Sequence, residues 1–147
     1  MATTIQLYNH TVNRFISGLN GPSDTYKVEL LSASASFNAA HTTKDEVDAS
    51  GAYEVYGNGW TQGGITLSNW TYSVDDTNGA KVDADDVLQE ISGGSLGPYI
   101  KYVIINTTDS NSPPVAFFTM PNAVTIPDGL YAGINWNASG VITFTVS

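Results

Sequence analysis

Tyr99-Ile100-Lys101-Tyr102-Val103-Ile104-Ile105-Asn106 is the most apolar run of this 147-residue chain. A run of that length rich in β-branched and aromatic residues is expected to form a central strand, buried on both faces toward its C-terminal half. It needs partners on either side. A second strand is read at Asp24-Thr25-Tyr26-Lys27-Val28-Glu29-Leu30-Leu31-Ser32, which alternates Tyr26, Val28 and Leu30 inward with Lys27 and Glu29 outward.

Further strands are read at Thr3–Tyr8, Val115–Met120 and Val124–Ile126, with shorter runs at Ala80–Asp83 and Val87–Ile91. Ile65–Val74 alternates too, but keeping both Leu67 and Trp70 inward requires a slip of register near Asn69. Asp75-Asp76-Thr77-Asn78-Gly79 reads as a tight turn, because Asn-Gly accepts positive φ angles. Leu130–Trp136 and Val141–Val146, joined by Asn137-Ala138-Ser139-Gly140, read as a C-terminal hairpin.

One helix stands out. Val12, Phe15, Ile16 and Leu19 recur at helical spacing behind Asn9, a candidate N-cap, and the pattern stops at Gly18-Leu19-Asn20-Gly21-Pro22. Its apolar stripe is expected to lie on the sheet. Ser34–Ser50 reads as a surface excursion in which Thr43-Lys44-Asp45-Glu46 matches a capping box able to start one helical turn. The expected fold is therefore all-β: one domain over residues 1–147, an antiparallel β-sandwich of jelly-roll or immunoglobulin-like type, with one short N-terminal helix.

Composition narrows the function. Five basic and 14 acidic residues give a net charge of -9, which repels phosphate backbones and anionic lipid, so neither nucleic acid nor membrane is an expected partner. No run reaches the roughly 18 apolar residues of a membrane span, and Met1–Gln6 lacks the features of a secretion signal. With no cysteine there is no disulfide and no thiolate chemistry, which fits folding in a reducing cytosol. Charged residues make up 13%, well below the roughly 25% of typical domains, so the surface hydrogen-bonds largely through neutral groups that desolvate cheaply against a neighbour.

Catalytic signatures are not read anywhere in the chain. Two histidines, His10 and His41, cannot make a three-histidine metal site; His10 is expected to cap the helix or bond to backbone, and His41 to lie at the surface. Asp83, Asp85, Asp86 and Glu90 form the densest acidic cluster, with oxygens of the kind calcium takes or a glycosidase pair uses. The spacing matches no EF-hand, and a solvated acidic turn is the expected reading. Gly57-Asn58-Gly59-Trp60-Thr61-Gln62-Gly63-Gly64 departs from a phosphate loop and reads as flexible backbone. Trp60 within it, beside Tyr53 and Tyr56, is the candidate contact for a partner or a sugar ring. Catalytic, cofactor-binding and metal-ligating residues are otherwise assigned to none.

Ile5-Gln6-Leu7-Tyr8-Asn9-His10-Thr11-Val12-Asn13-Arg14-Phe15, Asp24-Thr25-Tyr26-Lys27-Val28 and Trp136-Asn137-Ala138-Ser139-Gly140-Val141-Ile142-Thr143-Phe144 resemble a group of small virion proteins of tailed bacteriophages. The resemblance spans most of the chain and is weakest over Ser34–Gly64. It implies a non-enzymatic structural component without cofactor, a decoration or cement protein made in the host cytoplasm; the acidic net charge, which limits adhesion to released genome and anionic host surfaces, places it on the outer capsid surface. Its implied partners are the major capsid protein and copies of itself in a trimer or array. The alternative is a tail or fibre component that recognises a receptor or glycan through Tyr53, Tyr56 and Trp60.

Overall fold

The computed structural model describes residues 3–75 and 79–145. The expected turn at Asp75–Gly79 falls largely on residues 76–78, outside the described residues. Among the described residues strands account for 44% and helices for 10%, so the architecture is all-β and sandwich-like, with every pairing antiparallel.

Eleven strands form three sheets among the described residues. The main sheet runs β1 (Thr4–Leu7), β9 (Pro114–Ile126), β8 (Leu96–Asn106), β2 (Tyr26–Leu31) and β3 (Glu54–Val55), and β4 (Ile65–Thr66) also pairs with β2. β5 (Thr71–Asp75), β6 (Gly79–Asp83) and β11 (Ile142–Thr145) make a three-stranded sheet, and β7 (Val87–Glu90) and β10 (Tyr131–Ile134) a two-stranded one. Tyr99–Asn106 lies within β8 at the centre of the main sheet, where residues 102–106 are all buried.

Alternation along β2 and β8 sends side chains to opposite faces of that sheet. Tyr26, Val28 and Leu30 with Tyr102 and Ile104 pack toward Val82, Val87, Ala132, Ile134 and Ile142 of the two small sheets. Leu31, Val103, Ile105 and Phe117 face the other way, where Tyr8, Ala35 and Val47 close over them with Phe37 and Tyr53. The segment between β2 and β3 is therefore a lid on the second face of the sheet, not the surface excursion expected. Lys101 Nζ holds it down by donating to the carbonyls of Ala33 and Ala35. Glu29, expected outward, points into this covered face and is fully buried.

Two helices flank the sheets. Helix α1 spans Thr11–Ile16 and stops before Gly18, whose φ of +77° ends the turn. Its N-cap is His10, not Asn9. The apolar stripe lies on the sheets only through Phe15, which packs against the main core; Thr11 is the buried residue, its hydroxyl donating to Val115 O at 2.7 Å, while Ile16 is 80% exposed. His10 Nε2 lies 2.9 Å from Pro114 O, so the helix is tied to β9 by polar groups at its start. Helix α2 (Lys44–Asp48) begins at the capping box read from sequence, with Glu46 N donating to Thr43 Oγ1 at 3.4 Å and Thr43 N to Glu46 Oε2 at 3.1 Å.

Three further differences have local causes. Asn69 at φ +54° breaks Ile65–Val74 into β4 and β5, which join different sheets; this is the slip expected there. Val115–Met120 and Val124–Ile126 are one strand, β9, running through Pro121. The C-terminal hairpin does not form: β10 pairs with β7 and β11 with β6, and Trp136 between them packs its ring on Tyr102 and Phe118 of the main sheet and is tied to the β6–β7 connection. Its backbone N–H donates to Asp86 Oδ1 at 2.8 Å and its indole N–H to Asp85 O at 3.0 Å.

Candidate functional site

Trp60 closes a tight turn in which Gly57 N donates to Trp60 O at 2.8 Å and Trp60 N to Gly57 O at 3.1 Å. Asn58 and Gly59 occupy the two central positions at φ +53° and +111°, the geometry that an Asn-Gly pair supports. The turn carries the indole inward, where it is 2% exposed within the main core. Tyr53 is half-buried against the other core cluster, and Tyr56 is 48% exposed. Trp60 therefore cannot join Tyr53 and Tyr56 in a surface platform, which corrects its reading as a contact residue; of the three, Tyr56 is the exposed one. A tryptophan has more to gain from burial than any other side chain, and a glycine-rich turn let it fold back.

The acidic turn is occupied with structural work. Asp83 Oδ1 accepts from Ala84 N at 2.9 Å and lies 3.7 Å from Lys81 Nζ through its other oxygen. Asp85 Oδ2 accepts from Asn69 Nδ2 at 2.7 Å, and Asp86 receives the Trp136 backbone. These carboxylates fasten strand ends to one another.

A different acidic group lies under the lid. Glu29, Asp48 and Glu54 each place a carboxylate oxygen within 4.8 Å of the other two. β2 supplies Glu29, the end of α2 supplies Asp48, and the chain returns through left-handed residues Ala49, Ser50 and Gly51 to bring Glu54 on β3 alongside. Lys44 Nζ reaches Glu29 Oε1 at 2.6 Å. Asp48 Oδ1 accepts from Tyr53 N at 2.9 Å, and Glu54 Oε1 accepts from Gly63 N. Asp48 Oδ2 and Glu29 Oε2 have no hydrogen-bond partner among the described residues, although both side chains are fully buried.

Burial pushes the Glu29 carboxyl up to about 7 against the opposing pull of the Lys44 ammonium. Asp48 is raised as well, first by burial. For Lys44 burial acts to lower the pKa, but the Glu29 hydrogen bond and charge outweigh it and leave it raised. Nothing in the sequence alternation signalled this group, because Glu29 on an outward position is buried only by a segment that begins after β2.

An apolar groove of about 410 Å³ separates α1 from the three-stranded sheet. Val12, Phe15 and Ile16 line one wall and Tyr72, Val82 and Phe144 the other, with Lys81 the one charged lining residue. Phe15 meets Tyr72 and Phe144 edge-on, with ring centroids 5.5 and 5.7 Å apart. Val74, two residues beyond Tyr72 and so on the same strand face, is 77% exposed. Of the helical stripe expected to seal against the sheet, Phe15 reaches it, while Val12 and Ile16 stay exposed and leave this groove open.

Compared with known proteins, the chain matches no family model, no curated protein sequence and no solved structure.

Proposed function

We propose that the chain is a non-enzymatic structural component of a tailed-bacteriophage virion, a decoration or cement protein that joins neighbouring subunits of the outer capsid shell. The observation that carries this reading is the groove between α1 and the β5–β6–β11 sheet, where Ile16 stands largely in water beside other apolar side chains, with Val74 exposed farther along the strand face of Tyr72. Contiguous exposed apolar surface on a folded domain marks a docking surface. The resemblance of the N- and C-terminal segments to small virion proteins supplies the kind of neighbour: the major capsid protein and further copies of this chain.

The surrounding surface suits that role. Neutral polar side chains dominate it, and a net charge of -9 disfavours adhesion to released genome or to anionic host surfaces. Many copies, each touching the shell and one another, bind through avidity even when a single contact is weak. A tail or fibre role reading glycans through Trp60 is not favoured by the geometry, because that indole is inside the core.

Rebinding to particles that lack the chain tests the proposal. The unaltered protein is expected to coat such particles at many copies each, and Ile16→Asp or Val74→Asp to lose at least tenfold in affinity while remaining folded. Equal coating by both variants, or none by the unaltered chain, would overturn it.

A further inference from the structure

The geometry points to a calcium site under the lid, formed by Glu29, Asp48 and Glu54. The inference concerns a part of the molecule separate from the docking groove and stands or falls independently of it. Three carboxylates and one ammonium carry a formal charge of -2 when all are ionised, in a place where Glu29 and Asp48 are completely removed from solvent. The Lys44 ammonium reaches one oxygen of Glu29 and leaves Glu29 Oε2 and Asp48 Oδ2 unanswered among the described residues. Buried carboxylate oxygens without donors are costly, and here Asp48 Oδ2 and Glu29 Oε2 are two of them beside a third acid.

A divalent cation neutralises that balance and satisfies those oxygens together. The separation of at most 4.8 Å between ligand atoms lets one ion reach all three after small side-chain shifts, since calcium–oxygen distances are about 2.3–2.6 Å. All the donors are hard oxygens, and calcium takes such oxygens in flexible geometry whereas magnesium demands a near-ideal octahedron, so calcium is the ion proposed. A cleft of about 450 Å³ lined in part by Lys44, Glu54, Gln62 and Gly63 opens beside the cluster, and so provides an entry path and room for the waters that complete the shell. The bound ion would tie β2, α2 and β3 together and fix the lid on the main sheet.

The test is calorimetric and thermal titration of the full chain, first stripped with chelator, using calcium chloride and magnesium chloride. One calcium per chain is expected, with a raised unfolding midpoint and weaker binding of magnesium. Glu54→Gln, at a half-buried position, should lose at least tenfold in calcium affinity, and Asp48→Asn at least as much if it folds. Asp85→Asn, in the acidic turn far along the chain, should bind as the unaltered protein does. No heat and no midpoint shift up to about 10 mM calcium, above the range of weak extracellular calcium modules, would overturn the site. So would unchanged affinity in Glu54→Gln, or a loss produced by Asp85→Asn in its place.

Discussion

Gly64 shows how narrowly single residues constrain this fold. Its φ is +98°, and a Cβ there would stand 2.6 Å from the carbonyl oxygen of Val28 and 3.1 Å from Glu29 Cγ. Gly64→Ala is therefore expected to lower stability by roughly 1–3 kcal/mol, read as a fall in urea midpoint. The capping box gives a second residue-scale expectation: Thr43→Ala removes the acceptor for Glu46 N and should cost about 1 kcal/mol. The backbone N–H groups of Thr42 and Thr43 hold the Glu46 carboxyl below its ordinary value. A lowered folded pKa means that this contribution is complete above the ordinary glutamate range and fades as pH falls through the folded value. Titration of Glu46 followed by NMR should show that low midpoint in the unaltered chain and a return toward the ordinary value in a variant that unfolds α2. The box was legible in sequence because its whole signal fits in four consecutive residues. Glu29 was not, because alternation says which side of a strand a residue takes and nothing about what later covers that side.

At the scale of elements, the periodicities located strands and helix well and their partners less well. β2 and β8 were each identifiable as strands from composition and alternation, but not as neighbours; they pair in register from Tyr26↔Asn106 to Leu31↔Lys101. The C-terminal strands look like a hairpin because only Asn137–Gly140 separates them, yet the two hydrogen bonds made by Trp136 to the Asp85–Asp86 segment direct them into different sheets. Such contacts join residues about fifty positions apart and leave no local trace. Helix α1 gives the same lesson in reverse. Its stripe was plain in the sequence, but Thr11 and His10 decide how the helix docks, so the stripe faces a groove. Ile16→Asp is accordingly expected to leave the urea midpoint of the isolated chain nearly unchanged, within about 0.5 kcal/mol, since the side chain is already in water. A large loss of stability in that variant would mean that Ile16 is a core residue and the groove is closed in solution.

For the whole molecule, three sheets and a lid enclose two apolar clusters on opposite faces of one central sheet. That arrangement holds the groove walls, α1 on one side and β5, β6 and β11 on the other, on elements fixed to a rigid core. The proposed role is that of a scaffold presenting one apolar face, with the proposed lid site as a separate fastening point. The most direct measurement is a reconstruction of the assembled particle at a resolution that traces this chain. It should place many copies on the outer shell, with Ile16 and Val74 buried against a capsid subunit or a second copy. Density confined to a few copies at the tail, or copies on the shell with that groove open to solvent, would contradict it.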